Sequence, residues 1–318
     1  MKFYNSIITL CVLASINSNA ATSECLTFKN DPFETGATMP KGEYAGKCLN
    51  NSEQRNLNII EVKENGSQVV ANFYHKGKYW KATIPSSNVF KRAVLQVEYF
   101  PPEWIAAHTQ IRIDLKDGQY INLEGQNESN FNETEKVSSI VFSFEAIKAV
   151  DSIGYDLFKG TQDYYGLSVR MFSGLESYRD IVLNQKHRNQ QVELNYNSQE
   201  LSKLVKYYLD RGQKNKDQIE MYHTVYSNCT TEIYEGFEHV RDLPLVQTPV
   251  WKRDHVTKRR KIVRYKMVPK SYKAFSFGSF KEVLPVNAKW YADFREITNK
   301  EIKPLEEEFQ SVEDFEVQ

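Results

Sequence analysis

Apolar and polar residues alternate along several short runs in the first half of the chain, as they do in β-strands that bury one face. An Asn-Gly pair at 65–66 separates two of these runs and is a strong signal for a hairpin turn. The pattern therefore predicts a β-rich first half. The predicted strands are 58–62, 67–74, 79–84, 108–115, 120–124 and 137–144.

The runs 108–115 and 120–124 flank an Asp-Gly pair at 117–118, and we predict that they form a hairpin. A loop with a glycine-containing bulge keeps the apolar side chains of both runs on one face of the hairpin. The same register places Glu124 opposite Arg112, which is a favourable cross-strand charge pair.

Two helix starts follow later in the chain. Asn197 and Glu200 form a capping-box pattern, an apolar stripe comes next, and Gly212 lies where a C-terminal cap belongs. Asn228 is a good N-cap, and apolar residues at helical spacing come after it, so a second helix is predicted to begin at Cys229. We therefore predict an α+β fold in which an antiparallel sheet packs against helices.

The first twenty residues have the pattern of a secretory signal peptide. Lys2 is followed by a largely apolar run at 7–16, and Ser18 and Ala20 supply small residues at the expected cleavage site. An uncleaved anchor is the alternative, but the run is shorter than the roughly 20 apolar residues that span a bilayer. We expect a protein that is exported to the periplasm or otherwise secreted.

Composition and charge narrow the function classes. Hydrophobic residues make up 41% of the 318 residues, which allows a sizeable core, and the formal net charge is zero. Nucleic acid is not expected as a partner, because the chain has no basic excess and no readout motif. A basic stretch at 252–270 is either a solvated face or a contact for an anionic membrane surface. Its central cations are Lys258, Arg259, Arg260, Lys261 and Arg264.

The cysteine count points to one unusual thiol. After loss of Cys11 with the signal peptide, Cys25 and Cys48 are the candidate disulfide, and Cys229 is left over. An inert buried thiol or a different pairing is the alternative. At the start of a helix, however, unpaired backbone N–H groups and the helix dipole lower the pKa of a thiol. We interpret Cys229 as a candidate nucleophile, with the cap region at Asn228 and Thr230 as a candidate oxyanion site.

A cysteine nucleophile needs a base, and the sequence offers six histidines. His108 opens the polar face of a predicted strand, where a base would be rigidly held. His223 is near Cys229 in sequence but its orientation is unknown, and His187, His239 and His255 lie in charged stretches typical of a surface. His108 is one candidate among several at this point.

Four pieces of the chain together resemble a known family. They are 107–113 (AHTQIRI), 141–146 (VFSFEA), 178–195 (YRDIVLNQKHRNQQVELN) and 222–234 (YHTVYSNCTTEIY). In this order they resemble the Lnb-type periplasmic domain, a family associated with bacterial lipoprotein N-acyltransferases. The resemblance implies a circularly permuted papain-like thiol fold, with His108 as the base and Cys229 as the nucleophile. Ala107 departs from the glycine expected before the histidine.

The third member of such a site stays open among Glu124, Gln126 and Glu145, which lie on neighbouring predicted strands. The resemblance implies a thiol acyltransferase that moves an acyl chain from a phospholipid or another acyl lipid to a lipoprotein or peptide amine. A cysteine peptidase or amidase of the cell envelope and a non-catalytic binding module are the alternatives. No metal and no organic cofactor are expected, because no His/Cys cluster has the spacing of metal ligands.

These expectations divide the chain into four parts. Residues 1–20 form the signal peptide, and 21–99 a β-rich N-terminal segment. Residues 100–245 form the catalytic core, and 246–318 a C-terminal extension rich in basic and aromatic residues.

Overall fold

The computed structural model supplies the geometry of most of the chain. The predicted signal peptide, Lys258 and Arg259 lie outside the described residues. The structure describes residues 25, 31–34, 36–51, 54–104, 106–152, 154–225, 227–241, 245–253, 260–269, 285–294 and 296–309.

A 12-stranded sheet organises the molecule. Its path runs β14-β10-β4-β5-β8-β9-β2-β3-β6-β7, while β1 pairs with β2 and β11 pairs with β9. A separate hairpin consists of β12 and β13. The strands are β1 Asn58–Val62, β2 Gln68–His75, β3 Lys78–Ile84, β4 Phe90–Tyr99, β5 Ala107–Leu115, β6 Ile121–Gly125, β7 Thr134–Val137, β8 Ser139–Ile147, β9 Tyr165–Ser173, β10 Arg188–Leu194, β11 Met221–Tyr222, β12 Leu245–Arg253, β13 Arg260–Pro269 and β14 Thr298–Ile302.

The sheet is mixed, whereas the sequence analysis predicted a purely antiparallel one. Strands β2 and β9 run parallel through the pairs Phe73–Met171 and Tyr74–Phe172, and the other strand pairs are antiparallel. The fold is therefore a large mixed sheet with few helices. Strands β1–β4, before residue 100, and β14, beyond residue 245, share this sheet with the predicted core.

The predicted hairpin of 108–115 with 120–124 does not form. Strand β5 lies between β4 and β8, and β6 lies between β3 and β7. Glu124 is consequently paired in register with Lys81 and not with Arg112. Pairing with two long strands buries Ile111 and Ile113 completely, which a local hairpin would not achieve.

The described helices begin after β9, in the second half of the chain. Helix α2 packs against β4 and β9, and α3 packs against β5, β8 and α2. No described helix is both long and apolar enough to pass through a membrane. The helices are α1 Gly174–Tyr178, α2 Ser198–Asp217, α3 Cys229–Val240, α4 Ala288–Phe294 and α5 Leu305–Glu308, and a π-helical segment, Arg179–Asn184, follows α1.

Helix α2 begins as predicted but ends later. Asn197 accepts hydrogen bonds from the amides of Gln199 and Glu200, and the Glu200 carboxylate accepts from the Asn197 amide, which completes the capping box. The helix continues past Gly212 to Asp217, so the prediction of a C-terminal cap at Gly212 is wrong. A Cβ at Gly212 would lie 2.5 Å from the Leu57 side chain, so the glycine permits a close approach of the chain to the helix.

The C-terminal segment closes the other side of the sheet. Arg112, only 1% exposed, donates to the Glu308 carboxylate at 2.7 Å, and Arg92 donates to the same carboxylate at 2.8 Å. The Phe309 ring stacks on that of Tyr178 with centroids 5.5 Å apart. Arg112 therefore ties β5, the strand of His108, to the C-terminal helix α5 and not to Glu124.

Candidate active site

Cys229 is the first residue of α3. Its thiol is buried and is not part of a disulfide. Cys25 and Cys48 form a disulfide, as predicted. The Asn228 side chain accepts hydrogen bonds from the amides of Thr230 and Thr231 and donates to the carbonyl of Thr224 at 2.7 Å. The cap is therefore rigid, and the amide of Thr230, one of the predicted oxyanion donors, is already engaged by Asn228.

His108 lies at the start of β5 and faces the thiol. One ring nitrogen, Nε2, lies 2.7 Å from the Ser143 hydroxyl oxygen on β8. A hydrogen bond joins the His108 and Cys229 side chains. The structure thus brings together the two residues that the sequence analysis singled out.

The two groups polarise each other. Burial disfavours ionisation of the Cys229 thiol, but the His108 imidazolium, its hydrogen bond, the Thr109 amide and the Thr230 hydroxyl outweigh burial and lower the pKa of Cys229. Burial likewise opposes charge on His108, yet the Cys229 thiolate raises the pKa of His108 to about 9, with help from Glu145 and Glu98. The lowered pKa of Cys229 and the raised pKa of His108 both favour the thiolate–imidazolium form of the pair.

Of the three candidates for the third member, Glu145 is at the site. Its carboxylate accepts a hydrogen bond from Ser143 and forms an ion pair with Arg170 at 3.0 Å. The Ser143 hydroxyl therefore contacts the His108 imidazole, and the Glu145 carboxylate in turn contacts that hydroxyl. Gln54 also donates to Glu145, at 2.6 Å, from a segment before β1.

The structure places the other two candidates away from His108. Glu124 is exposed and lies 3.6 Å from the Lys81 ammonium. Gln126 is buried just after β6, where it accepts from the Asn72 amide and donates to Asp31. Sequence reasoning missed Ser143, although the alternation in 137–144 places it on the same face of its strand as Glu145.

A cavity of about 500 Å³ opens in front of the thiol. Its wall contains Cys229, His108 and Glu145, and also His187, which the sequence analysis assigned to the surface. The sequence offered one signal for His187, namely its place in the family-like stretch 178–195. Aromatic rings form another part of the wall and belong to Phe100, Phe144, Tyr155, Phe172 and Tyr222.

Fold and site together define a protein with an activated thiol on a helix start, facing an imidazole on a large mixed sheet. The family model described as the Lnb N-terminal periplasmic domain matches residues 78–259, more than half of the chain. The chain belongs to this periplasmic family. No curated protein and no solved structure matches it.

The charge of Glu145 should be measurable through the reactivity of the thiol. Because Glu145 raises the pKa of His108, and the imidazolium lowers the pKa of Cys229, Glu145→Gln should move thiol ionisation to higher pH. Iodoacetamide labelling of the native protein across pH 5 to 9 should start well below the ordinary thiol pKa of about 8.5, and later in the variant. Glu124→Gln removes a similar charge from a distant strand and should label like the unmodified protein.

Proposed function

We propose that the protein is a cysteine-dependent acyltransferase of the cell envelope. The observation that carries the proposal is a buried, unpaired Cys229 hydrogen-bonded to His108 at the wall of a cavity. A thiolate held by an imidazolium is a strong nucleophile at neutral pH, and a rigid cavity positions a carbonyl next to it.

The first half-reaction forms a thioester. The Cys229 thiolate attacks the ester carbonyl of an acyl lipid, and a tetrahedral oxyanion forms beside the start of α3. Its collapse breaks the bond to the alkoxide oxygen, and the His108 imidazolium gives its proton to that oxygen. The products are an acyl-thioester on Cys229, neutral His108 and a free lipid alcohol.

The second half-reaction transfers the acyl chain to an amine. The uncharged amine attacks the thioester carbonyl, His108 takes a proton from the amine nitrogen, and Cys229 leaves as a thiolate. An amide forms and the starting thiolate–imidazolium pair is restored. Family membership supports a phospholipid as donor and the N-terminal amine of a lipoprotein as acceptor.

The character of the cavity supports an acyl chain as one of its occupants. Part of its wall is aromatic, and the large side chains Trp104, Phe158 and Leu183 are exposed on segments that also contribute wall residues. Exposed apolar residues around a cavity fit a ligand delivered from a lipid phase. A peptidase would use the same Cys229–His108 pair on an amide, so the substrate must be tested directly.

Mass spectrometry of the intact mature protein after incubation with phospholipid vesicles tests the proposal. We expect a mass increase of one acyl group on Cys229, absent from Cys229→Ser, and loss of the adduct when a lipopeptide with a free N-terminal amine is added. The lipopeptide that is acylated on its N-terminal amine should accumulate in proportion to the adduct that is lost.

Two other outcomes would count against the proposal. Cleavage of an envelope peptide through Cys229, with no acyl adduct from any lipid, would assign the site to a peptidase. Neither an adduct nor a cleaved peptide, together with a thiol that labels only above pH 8.5, would fit a binding module.

A further inference from the structure

A second imidazole–carboxylate pair lies in the same cavity and is not used by the steps above. His187, just before β10, lies with its Nδ1 atom 2.6 Å from a carboxylate oxygen of Glu98 on β4. Glu98 is 8% exposed, and the His187 side chain is 20% exposed. The Phe100 ring lies beside the imidazole, with centroids 5.9 Å apart.

This pair is adjacent to the catalytic histidine. Glu98 is the direct register partner of His108 in the β4–β5 ladder, so the two side chains extend from the same face of the sheet. Glu98 is therefore a neighbour of two imidazoles. His108 faces the thiol, and His187 hydrogen-bonds to Glu98. Among the residues that the structure describes, the other charged groups on that wall are Glu145, its partner Arg170, and Asp180.

The geometry fits a base that a carboxylate orients. With Nδ1 donating to Glu98, Nε2 of His187 is left as the proton acceptor. His108 is committed to a different proton, because in the second half-reaction it takes the one that the nitrogen loses as the amide forms, and its Nε2 atom lies 2.7 Å from the Ser143 hydroxyl.

We propose that His187, oriented by Glu98, removes the proton that makes the acceptor amine unreactive. This inference rests on the proposed acyltransferase function. An α-amine has an ordinary pKa of about 7.7–8.0, so at neutral pH most of it is ammonium, which has no lone pair for attack. Nε2 of His187 takes one proton from the ammonium, and the free amine then attacks the thioester.

An ammonium group that becomes an amide loses two protons, so this half-reaction needs two proton acceptors. The ammonium loses its first proton to His187 before attack, and the nitrogen loses its second to His108 as the amide forms. His187 returns its proton to solvent, while His108 keeps its proton for the next acyl transfer.

Single-turnover measurements on His187→Gln separate this role from the others. Because His187 takes no proton during formation of the Cys229 thioester from phospholipid, that step should slow less than acyl transfer to the ammonium does. Transfer to a lipopeptide ammonium at pH 7 should fall by about 5- to 10-fold, because about a tenth of an amine with this pKa is already uncharged at pH 7 and can still attack. The deficit should shrink as the pH rises past the pKa of the amine, since free amine then forms in solution.

Hydroxylamine is the matched acceptor, because it is already largely uncharged at neutral pH. We expect His187→Gln to transfer its acyl group to hydroxylamine as fast as the unmodified protein does. An equal loss with both acceptors would mean that His187 only shapes the cavity. No loss with either acceptor would mean that His187 has no role in acyl transfer. Absence of any thioester in the unmodified protein would instead overturn the acyltransferase function itself.

Discussion

Replacing His108 with alanine is expected to slow thioester formation on Cys229 by about 10³-fold at neutral pH, within the range for loss of a general acid–base. The variant loses both the charge that keeps the thiol ionised and the proton that the leaving alkoxide requires. Its remaining activity should rise only above the ordinary thiol pKa of about 8.5, because burial then disfavours the thiolate and hydroxide replaces only the first of these roles.

Initial rates of acyl-adduct formation, followed by intact mass across pH 6 to 10, measure both effects. His239→Ala is a suitable control, since His239 is on the same helix as Cys229 but packs against Tyr207, with ring centroids 4.8 Å apart. That control should acylate at the normal rate. If His108→Ala retained more than a fifth of the native rate at pH 7, another group would have to be the base.

The local parts of the site are those that the sequence predicts well. An N-cap determines where a helix starts through contacts two and three residues away, so Asn228 and Cys229 could be placed without the fold. Strands β1, β2, β3, β5 and β6 also lie within one or two residues of their predicted bounds. Hydrophobic alternation is a property of the strand itself and needs no partner.

Partnerships over long distances were not predictable in the same way. An Asp-Gly turn favours the nearest strand, but β5 gains more by lying between β4 and β8, where Ile111 and Ile113 are fully buried. For the same reason the sequence did not place Gln54 and His187 at the site. Their hydrogen-bond partners, Glu145 and Glu98, are 91 and 89 residues away in sequence. Choosing among Glu124, Gln126 and Glu145 required the strand order, which alternation does not encode.

The largest loss of stability is expected from Arg55→Met, in the segment that carries Gln54 to Glu145. Arg55 donates to Asp31 at 2.6 Å and lies 3.6 Å from Glu34, and the three side chains are at most 3% exposed. Removing the cation leaves two carboxylates buried without their ion-pair partner. We expect the free energy of unfolding in urea at pH 7 to fall by about 3–5 kcal/mol.

Arg188→Met is the matched control for this loss. Arg55 lies over the Tyr79 ring and Arg188 lies over the Tyr99 ring. Arg188 pairs with one carboxylate, that of Glu103, and both of these side chains are about half exposed. Its replacement should cost about 1 kcal/mol or less, because solvent screens the pair. A similar loss in both variants would show that stacking on tyrosine, and not the buried charge, dominates.

The pH dependence of Arg55→Met provides a second, independent check. Burial disfavours the charged form of Asp31, but hydrogen bonds from Asn127 and Arg55 outweigh it and lower the pKa of Asp31. A lowered pKa contributes stability above the unfolded value of about 3.9, and this stability is lost as the pH falls through the folded value. In the variant the hydrogen bond from Arg55 is absent, so burial should raise the pKa of Asp31. Protonation of Asp31 should then remove the cost of an unpaired buried charge. The difference in unfolding free energy between the two proteins should therefore shrink below about pH 4, whereas a constant difference would point to lost packing as its cause.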